Sequence, residues 1–395
     1  MLSGVRGGVL ARGIAPTVRG DWRVERSSEL FELKYGKALV ESIRAPGDVP
    51  VFGTNGQAGT HNLALFKGPG VIIGRKGAGH LGVHWSDRDY WVIDTAYSLV
   101  PSKRMDLKYS YYLIKYVGLN HLKHGTSNPS LTRDAFGAQY FPVPSLLEQR
   151  AIAAMFGAVD DKIESNRRAA DTLVALIGAL FEQVISSHEV VYAPLGELAR
   201  TVNGRSYKSS ELQESSTALV TLKSVDRNGG YKESGLKPYT GPHKPEQEVR
   251  PGEIVVAQTD LTQGAEVVGR GVRVPRSGRY DTLVASLDLA IVRPLAGMPV
   301  EYLHGLLSSE AFRQHCRAHV TGTTVLHLAK DAMPTWSAPI VHPDEQERFA
   351  ERVRPMLARM DALSDESARL VALRDALLPE VLSGRVRVPI EGVVP

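Results

Sequence analysis

Cysteine and long apolar runs are scarce in this sequence, and each shortage excludes a class of protein. Cys316 is the single cysteine among 395 residues, so no disulfide can form within the chain, which fits a reducing compartment. We expect Cys316 to be a small buried apolar residue. No uninterrupted apolar run has the length of a membrane span, so the sequence predicts a cytoplasmic protein with no membrane partner.

Motifs that carry catalysis or hold metals are also missing. No phosphate loop, serine–histidine triad or cluster of nuclease carboxylates is visible. The stretch "GAGHLG" at Gly77 matches G-x-G-x-x-G, but strand-like residues follow it, so no helix start faces a pyrophosphate. His80 and His84 lie among glycines rather than on a helix, which argues against metal ligation. We therefore predict no catalytic residue, no metal and no cofactor bound by this chain.

The charge of the chain says little about its partners. The net charge is +4, and the first twenty residues supply +3 of it through three arginines and no acid. We expect residues 1–22 to form a disordered arm or to precede the true start of the protein. The remaining chain is near neutral, so the sequence pI near 9.0 is weak evidence for nucleic-acid binding.

The sequence contains a long internal repeat. At an offset of 197 residues the chain matches itself without gaps from Gly125 onward, with "GT" at 125 and 322, "EQ" at 148 and 345, and "LVAL" at 173 and 370. The match fades upstream of Gly125. The two halves therefore share a frame and differ in their N-terminal parts.

Both copies of the repeat contain a heptad pattern. Apolar residues recur at alternating steps of four and three, which predicts a coiled-coil seam of roughly 60 Å in each copy. Asn166 is a polar seam residue of the type that often fixes register. The alternative is that each helix packs only on its own domain. The predicted seam residues are Ile152, Phe156, Val159, Ile163, Leu173, Ile177, Leu180, Val184, Phe349, Val353, Met356, Met360, Leu363, Leu370, Leu377 and Val381.

Chain order then predicts the architecture. If the region between the two helices is compact with neighbouring ends, the helices must run antiparallel. The fold class is α+β, with two α/β domains of short strands and helices separated by a long antiparallel two-helix coiled coil with pseudo-two-fold symmetry. We also expect one helix near Val300–Arg317. The predicted segments are an arm at 1–22, a first domain at 23–145, a helix at 146–189, a second domain at 190–343, and a second helix with the C-terminal close at 344–388.

The loops of the two domains hold residue types that suit DNA. Basic side chains mixed with glycine allow close approach to phosphate, and Arg, Lys, Gln and Asn read base edges. Each loop could equally be an ordinary solvated turn, but the loops recur at duplicated positions, which favours a DNA-reading face. The candidate DNA-binding residues are Asn55, Arg75, Lys76, His80, Thr126, Ser127, Asn128, Arg205, Tyr207, Lys208, Gln258, Thr259, Gln263, Thr323, Thr324 and His327.

From about Trp22 onward, the chain resembles the specificity subunit of type I restriction-modification systems. "VPVFGTNGQAGTHN", "GPGVIIGRKGAGHLG" and "WVIDTAYSLV" resemble a first target-recognition domain of that family. "GTSNPSLTRDAFGAQYFPVPSLLEQRAIAAMFGAVDDKIESN" resembles the entry to its first conserved helix, and "LRDALLPEVLSGRVRV" its C-terminal close. The arginine-rich start and Pro355 in the second helix depart from the family pattern.

The resemblance implies a function. Each target-recognition domain would read one half of a bipartite site in double-stranded DNA, and the coiled coil would set the spacing. Two modification subunits, which bind S-adenosylmethionine and methylate adenine, would dock on the helices. Restriction subunits, which use ATP, would join them, and this chain would catalyse nothing in a prokaryotic, nucleoid-associated phage defence complex. Three alternatives stay open: a coiled-coil scaffold that binds no DNA, a specificity factor of another methylation-linked defence system, and an enzyme that uses "GAGHLG" as a nucleotide loop.

Overall fold

The chain forms two compact units, both described by a computed structural model. The structure describes residues 21–126, 129–227, 229–260, 264–323 and 325–390, so nearly all of the predicted arm lies outside it. Unit 1 runs to Asp161 and resumes at Leu370, and unit 2 comprises the residues between them. Two long helices contribute to both units: α4 (Leu146–Ser187) and α9 (Pro343–Leu382).

The first domain, the part of unit 1 outside α4 and α9, is built on a four-stranded sheet. Its strands are β1 (Arg23–Arg26), β2 (Phe31–Tyr35), β3 (Val49–Gly53), β4 (Gly56–His61), β5 (Gly70–Gly74), β6 (Val83–Ser86), β7 (Trp91–Val92), β8 (Ala96–Pro101), β9 (Lys123–His124), β10 (Ser130–Leu131) and β11 (Tyr140–Val143). Its helices are α1 (Ser27–Leu30), α2 (Leu107–Val117) and α3 (Arg133–Gly137). The main sheet has the order β2-β8-β5-β6, and a smaller sheet has the order β4-β3-β7.

Strand β5 is the centre of the first domain. Its sequence "GVIIG" is apolar throughout because both faces of the strand are covered. Val71 and Ile73 face the main core with α2, while Ile72 faces a smaller cluster that includes Phe52 and Tyr90. Helix α2 begins where the Asp106 side chain accepts a hydrogen bond from the Tyr109 backbone amide at 2.9 Å. The charged loops that follow β5 are thereby carried on a rigid, fully buried strand.

The second domain, the part of unit 2 outside α4 and α9, has the same strand arrangement. Its strands are β12 (Val191–Pro194), β13 (Ala199–Asn203), β14 (Thr217–Val220), β15 (Lys237–Pro238), β16 (Ile254–Ala257), β17 (Thr259–Asp260), β18 (Gly271–Arg273), β19 (Thr282–Ala285), β20 (Leu289–Pro294), β21 (Val320–Thr321), β22 (Leu326–Leu328) and β23 (Ser337–Ile340). Its helices are α5 (Leu195–Leu198), α6 (Val300–Ser308), α7 (Glu310–Ala318) and α8 (Ala332–Thr335). The main sheet has the order β13-β20-β16-β18, and β14 lies between β15 and β19.

The two domains correspond strand by strand. In both, the third strand of the small sheet is parallel to its middle strand, β7 to β3 and β19 to β14. The common frame therefore extends upstream of Gly125, where sequence identity fades. The single helix that we predicted near Val300–Arg317 is wrong in one respect. Ser309 has an extended backbone and caps a second helix, with its hydroxyl accepting from the Phe312 amide at 3.2 Å, so α6 and α7 are separate.

In unit 1 the start of α4 packs against the end of α9. Phe156 of α4 and Val381 of α9 belong to the same buried cluster as the first domain's core. The Arg374 guanidinium of α9 donates to Asp160 of α4 at 2.8 Å. The Tyr112 hydroxyl of α2 donates to the same carboxylate at 2.7 Å. One half-buried carboxylate thus joins both long helices and the domain.

In unit 2 the end of α4 packs against the start of α9. Phe181 lies 5.7 Å from Phe349 and 5.4 Å from Tyr302 of α6, measured between ring centroids. Further along, the buried Asn166 amide donates to Glu366 at 2.9 Å. Since pairing runs in opposite directions along the two helices, they are antiparallel. The predicted fold class, two α/β domains with a long antiparallel helix pair, is confirmed.

The predicted seam residues lie on the covered sides of the two helices. All sixteen are buried or half-buried, and none is exposed. Helix α9 continues from Pro343 to Leu382 without a break at the exposed Pro355.

Helix α4 has a property that the sequence reading missed. By length and composition alone it could cross a membrane, the one such helix in the described part of the chain. Its apolar side chains are used within the protein instead, because Ile152 and Phe156 join the core of unit 1 while Ile177 and Phe181 join that of unit 2. The composition of α4 therefore reflects packing on α9 and on the two domains.

Candidate nucleic-acid interface

The loop Arg75–His80 follows β5 in the first domain and is fixed by its backbone. The Arg75 amide donates to the Thr95 carbonyl at 2.8 Å, and the Arg75 carbonyl accepts from the Leu131 amide at 2.8 Å. The Gly77 amide donates to the Pro129 carbonyl at 3.1 Å. This loop therefore lies against the hairpin of β9 and β10, and the structure brings together two segments that the sequence proposed separately.

Side chains also fix the same loop. The Lys123 ammonium donates to the carbonyls of Gly79 and Ala78 at 2.7 and 3.1 Å. The Thr54 hydroxyl donates to the Lys76 carbonyl at 2.8 Å, and Asn55 follows it in an exposed turn. Gly77 has φ +133°, a backbone conformation that favours glycine. The loop is thus pre-organised rather than a free solvated turn.

The predicted reading side chains of this loop differ in their neighbours. The Lys76 ammonium pairs with the Asp94 carboxylate at 3.1 Å. The exposed His80 accepts a hydrogen bond from the Asn120 amide. The exposed Thr126 lies in the adjoining hairpin, whereas Ser127 and Asn128 lie outside the described residues.

Arg75 is part of an arrangement that the sequence analysis missed. Its guanidinium lies 4.8 Å from the ring centroid of Tyr35, and that of Arg133 lies 4.1 Å from the same ring. Tyr35 is 48% exposed. Such contacts join residues far apart in the chain, so no local pattern could have indicated them.

In the second domain, predicted residues gather around the turn that precedes β20. The Arg205 amide donates to the Ala285 carbonyl at 2.7 Å, and its own carbonyl accepts from Leu287 at 2.8 Å. The Gln258 amide donates to the Asp288 carbonyl at 2.8 Å. Arg205, Gln258 and their neighbours therefore share one edge of the domain.

The side chains at this edge have different accessibility. Thr259 is buried, and its hydroxyl donates to the Asp288 carboxylate at 2.9 Å. His327, its partner on β22, is exposed. The Nε of Arg205 is buried without a hydrogen-bond partner, and Gln258 is half-buried. Of these three residues, His327 is the exposed one, while Arg205 and Gln258 are half-buried beside it at the same edge.

The remaining predictions for the second domain lie apart from this group or outside the described residues. The Tyr207 hydroxyl accepts from Lys237 at 3.2 Å, and its ring packs on a small cluster with Tyr239. Lys208 is exposed next to it, and Thr323 is exposed between β21 and β22. Gln263 and Thr324 fall outside the described residues.

Backbone pairing shows that the two groups of loops occupy corresponding places. Lys76 is bridged to Ser130, and Thr259 pairs with His327, which lies 197 residues after Ser130. Lys76 and Thr259 are therefore equivalent, and so are the preceding residues, Arg75 and Gln258.

A second equivalence identifies a further candidate. The Lys37 amide donates to the Val92 carbonyl at 2.9 Å, as the Arg205 amide donates to Ala285. Lys37 is exposed and follows Gly36, just as Arg205 follows Gly204. In the sequence, both positions appear as a glycine followed by a basic residue. The two pairs are 168 residues apart, so a comparison at the repeat offset of 197 does not align them.

The site offers donors and cations but no metal-binding cluster. Among the residues that the structure describes, no group of three or more His, Cys, Asp or Glu side chains could hold a metal ion. Burial lowers the pKa of His84, which lies below the loop and makes a 3.2 Å contact with the Thr54 carbonyl. The basic and amide side chains of the two groups of loops are of the types that bind phosphate oxygens and base edges.

Comparisons with known proteins identify the family. Residues 19–173 match the family model described as the type I restriction modification DNA specificity domain. The specificity subunit of type I restriction enzyme MjaVIII from Methanocaldococcus jannaschii is 22% identical over 316 residues, which cover 73% of this chain and 72% of that protein. The crystal structure of a type I restriction-modification S subunit from M. genitalium has the same fold, with a TM-score of 0.55 and 17% identity over 91% of this chain and 96% of that one. Residues 19–173 therefore form a type I restriction modification DNA specificity domain, and the chain as a whole is similar to the specificity subunits of type I restriction-modification systems, which are themselves non-catalytic and bind no cofactor.

Proposed function

We propose that each domain reads one half of a bipartite site in double-stranded DNA, with the loop Arg75–His80 in the first domain and the Arg205, Gln258 and His327 group in the second. The helix pair α4–α9 sets the spacing between the half-sites. Residues 23–145 and 190–343 are the two target-recognition domains in this proposal. The complex acts in the prokaryotic cytoplasm at the nucleoid.

One observation carries this proposal: the two domains offer unlike side chains from like backbone positions. Arg75 and Lys76 follow β5, while Gln258 and Thr259 follow the equivalent strand β16. Arginine and lysine favour guanine, whereas glutamine favours adenine. The two domains thus present different side chains from equivalent backbone positions. This arrangement fits a DNA site whose two halves differ in sequence.

The long helices support the docking of two copies of one partner. Leu176 of α4 and Leu373 of α9 occupy the same position in the repeat and are 43% and 51% exposed. One lies in unit 2 and the other in unit 1. A single exposed leucine is common on a protein surface, so the support comes from its recurrence at the same position of the repeat. We propose that each anchors one modification subunit, which supplies S-adenosylmethionine, while the restriction subunits that use ATP join the complex.

The test of the proposed function is the methylome of a host that expresses this chain with its modification subunit. We expect adenine methylation at a bipartite motif whose halves are separated by a fixed unspecified spacer. The matched control expresses the modification subunit alone and should show no such motif. A continuous motif, or no motif, would contradict the proposal, and the absence of salt-dependent DNA binding would favour the scaffold alternative.

A further inference from the structure

Tyr35 forms the centre of a stack of side chains at the end of β2. Two guanidinium groups contact its ring, with that of Arg75 at 4.8 Å and that of Arg133 at 4.1 Å from the ring centroid. The Tyr97 ring supports it at 5.1 Å between centroids, with an interplanar angle of 54°. Tyr97 is buried, and its hydroxyl donates to the Leu131 carbonyl at 3.0 Å. The exposed ring of Tyr35 therefore packs on a buried core residue, Tyr97.

The two guanidinium groups of the stack lack a carboxylate partner. Within the described ranges, neither Arg75 nor Arg133 makes a salt bridge, and Lys37 makes none either. Arg75 is oriented by a neutral group, because its Nη1 donates to the Asp94 carbonyl at 3.0 Å. The nearby Lys76, in contrast, is paired with the Asp94 carboxylate. Among the residues that the structure describes, the stack thus holds two positive charges that form no ion pair with an acidic side chain.

This arrangement has the chemistry of a phosphate site. A guanidinium group on an aromatic face keeps its N–H edges available, and those edges match the geometry of phosphate oxygens. The ring also restricts both arginine side chains before binding, so less conformational entropy is lost when a phosphate arrives. A single exposed arginine has neither advantage.

We propose that Arg75, Tyr35 and Arg133 form a phosphodiester-binding subsite that anchors the first domain to the DNA backbone. This inference rests on the proposed function, since the phosphodiester is that of the DNA which the domain reads. Its role is to position the domain, while neighbouring loop residues read bases. It assigns Arg75, an expected base reader, to the DNA backbone instead.

The second domain lacks this subsite. Backbone pairing places Asn203 where the first domain has Tyr35, and Gln258 where it has Arg75. The repeat places Lys330 where it has Arg133. Without an aromatic ring and without guanidinium groups, those positions form no stack. The first domain therefore contributes more of the salt-dependent part of DNA binding than the second.

The test measures the affinity of the full-length chain for a labelled duplex of mixed sequence, by fluorescence anisotropy between about 50 and 200 mM salt. We expect Arg133→Gln and Arg75→Gln each to weaken binding by roughly 3- to 10-fold at low salt and to reduce the slope of log K against log salt by about 0.9. Tyr35→Ala should also weaken binding although it leaves the charge unchanged, whereas Tyr35→Phe should bind like the parent protein.

Lys67→Gln is the matched control. Lys67 precedes β5 whereas Arg75 follows it, and it pairs with Asp89 at 2.8 Å. Its substitution removes one charge from the same domain, and we expect almost no effect. Equal losses for Lys67→Gln and Arg133→Gln, or unchanged binding by Tyr35→Ala, would overturn the subsite. So would an Arg133→Gln effect that depends on DNA sequence, since a phosphate contact weakens binding to all sequences alike.

The outcomes separate this inference from the proposed function. If the parent protein binds DNA and gives a bipartite methylome while the stack variants bind normally, only the subsite is wrong. If the parent protein binds no DNA at any salt concentration, both are wrong. Circular dichroism of Tyr35→Ala checks that the variant is folded, and Tyr35→Phe repeats the comparison without loss of the ring.

Discussion

In each unit a domain helix packs on the long helices at an equivalent place. The large aromatic side chain at this contact comes from the domain helix in unit 1 and from the long helix in unit 2. In unit 1 the domain helix α2 supplies Tyr112, and the corresponding long-helix residue is Leu378. In unit 2 the domain helix α6 supplies Gly305, and the long helix α4 supplies Phe181. A Cβ atom at Gly305 would lie 2.4 Å from the Phe181 ring. The aromatic ring is therefore supplied by the domain helix in unit 1 and by the long helix in unit 2.

The equivalence of these positions rests on a shared hydrogen bond. The Tyr109 hydroxyl of α2 donates to the Pro142 carbonyl at 3.4 Å, and the Tyr302 hydroxyl of α6 donates to the Pro339 carbonyl at 3.0 Å. The comparison teaches that the duplicated frame fixes where the domain meets the long helix, while the element that supplies the aromatic ring differs between the units. The loops follow the same rule, with a conserved backbone and different side chains.

The largest expected effect comes from reversing this exchange in unit 2. Phe181→Ala should destabilise unit 2 by about 3–5 kcal/mol, because a buried ring is lost. Gly305→Ala alone should cost about 1–3 kcal/mol through overpacking. In the double variant Gly305→Ala/Phe181→Leu, the smaller leucine side chain leaves room for the added methyl group. Its loss of unfolding free energy should therefore be smaller than the sum of the losses of the two single variants. Chemical denaturation of the full chain measures these values, and strictly additive losses would contradict direct packing of position 305 on the Phe181 ring.

The next prediction concerns acid sensitivity, which should differ between the units. Burial, followed by the nearby Arg273 charge, lowers the pKa of His304 to about 4. Because unfolded His304 titrates near 6.5, the unfolded chain binds a proton that the folded chain does not between these two pH values. The contribution of neutral His304 to the free energy of unfolding is therefore fully present above pH 6.5. It is lost as the pH falls towards 4, by roughly 3 kcal/mol at most. Unit 1 has Tyr111 at the equivalent position, so its own acid response comes from other groups such as His84, whose pKa burial also lowers.

The measurement is the urea midpoint of full-length protein as a function of pH. His304→Phe should flatten the decline over that window, because it removes the buried imidazole with its unpartnered Nδ1. His342→Gln, at an exposed histidine of unit 2, is the control and should retain the decline. The same pH dependence in His304→Phe as in the parent protein would refute the assignment.

The third prediction concerns the reading loops. Gln258→Ala should relax the sequence choice of one half-site by about 1–3 kcal/mol and leave the other unchanged. Lys76→Ala should relax the opposite half-site, so each variant is the other's control. Methylome motifs measure both effects. If Lys76→Ala weakened all sequences equally, Lys76 would be a phosphate contact, and relaxation of both halves by either variant would contradict separate reading.

The sequence predicted the helices well because their signal is local. Apolar residues that recur at alternating steps of four and three over about forty residues indicate a long amphipathic helix, independently of the rest of the fold. The helix that begins at Leu146 and its repeat at Pro343 both occur. The buried strand β5 was also visible, since "GVIIG" is apolar on both faces.

The correspondence between the domains was hidden by unequal loops. Equivalent residues lie 168 apart at β2 and β13, 193 apart at β8 and β20, and 197 apart at β11 and β23. An ungapped comparison at one offset therefore detects only the last part. The stack around Tyr35 was invisible for another reason, since Arg75 and Arg133 meet the ring only after the sheet has formed.

Replacing residues 191–340 with a second copy of residues 23–143 tests the central claim most directly. The junctions match, because Arg23 pairs with Val143 as Val191 pairs with Ile340. Methylome sequencing with the modification subunit would then report the motif. If each domain reads its own half-site, the motif will have two identical halves, both equal to one half of the parent motif. An unchanged motif with two unlike halves would contradict the account.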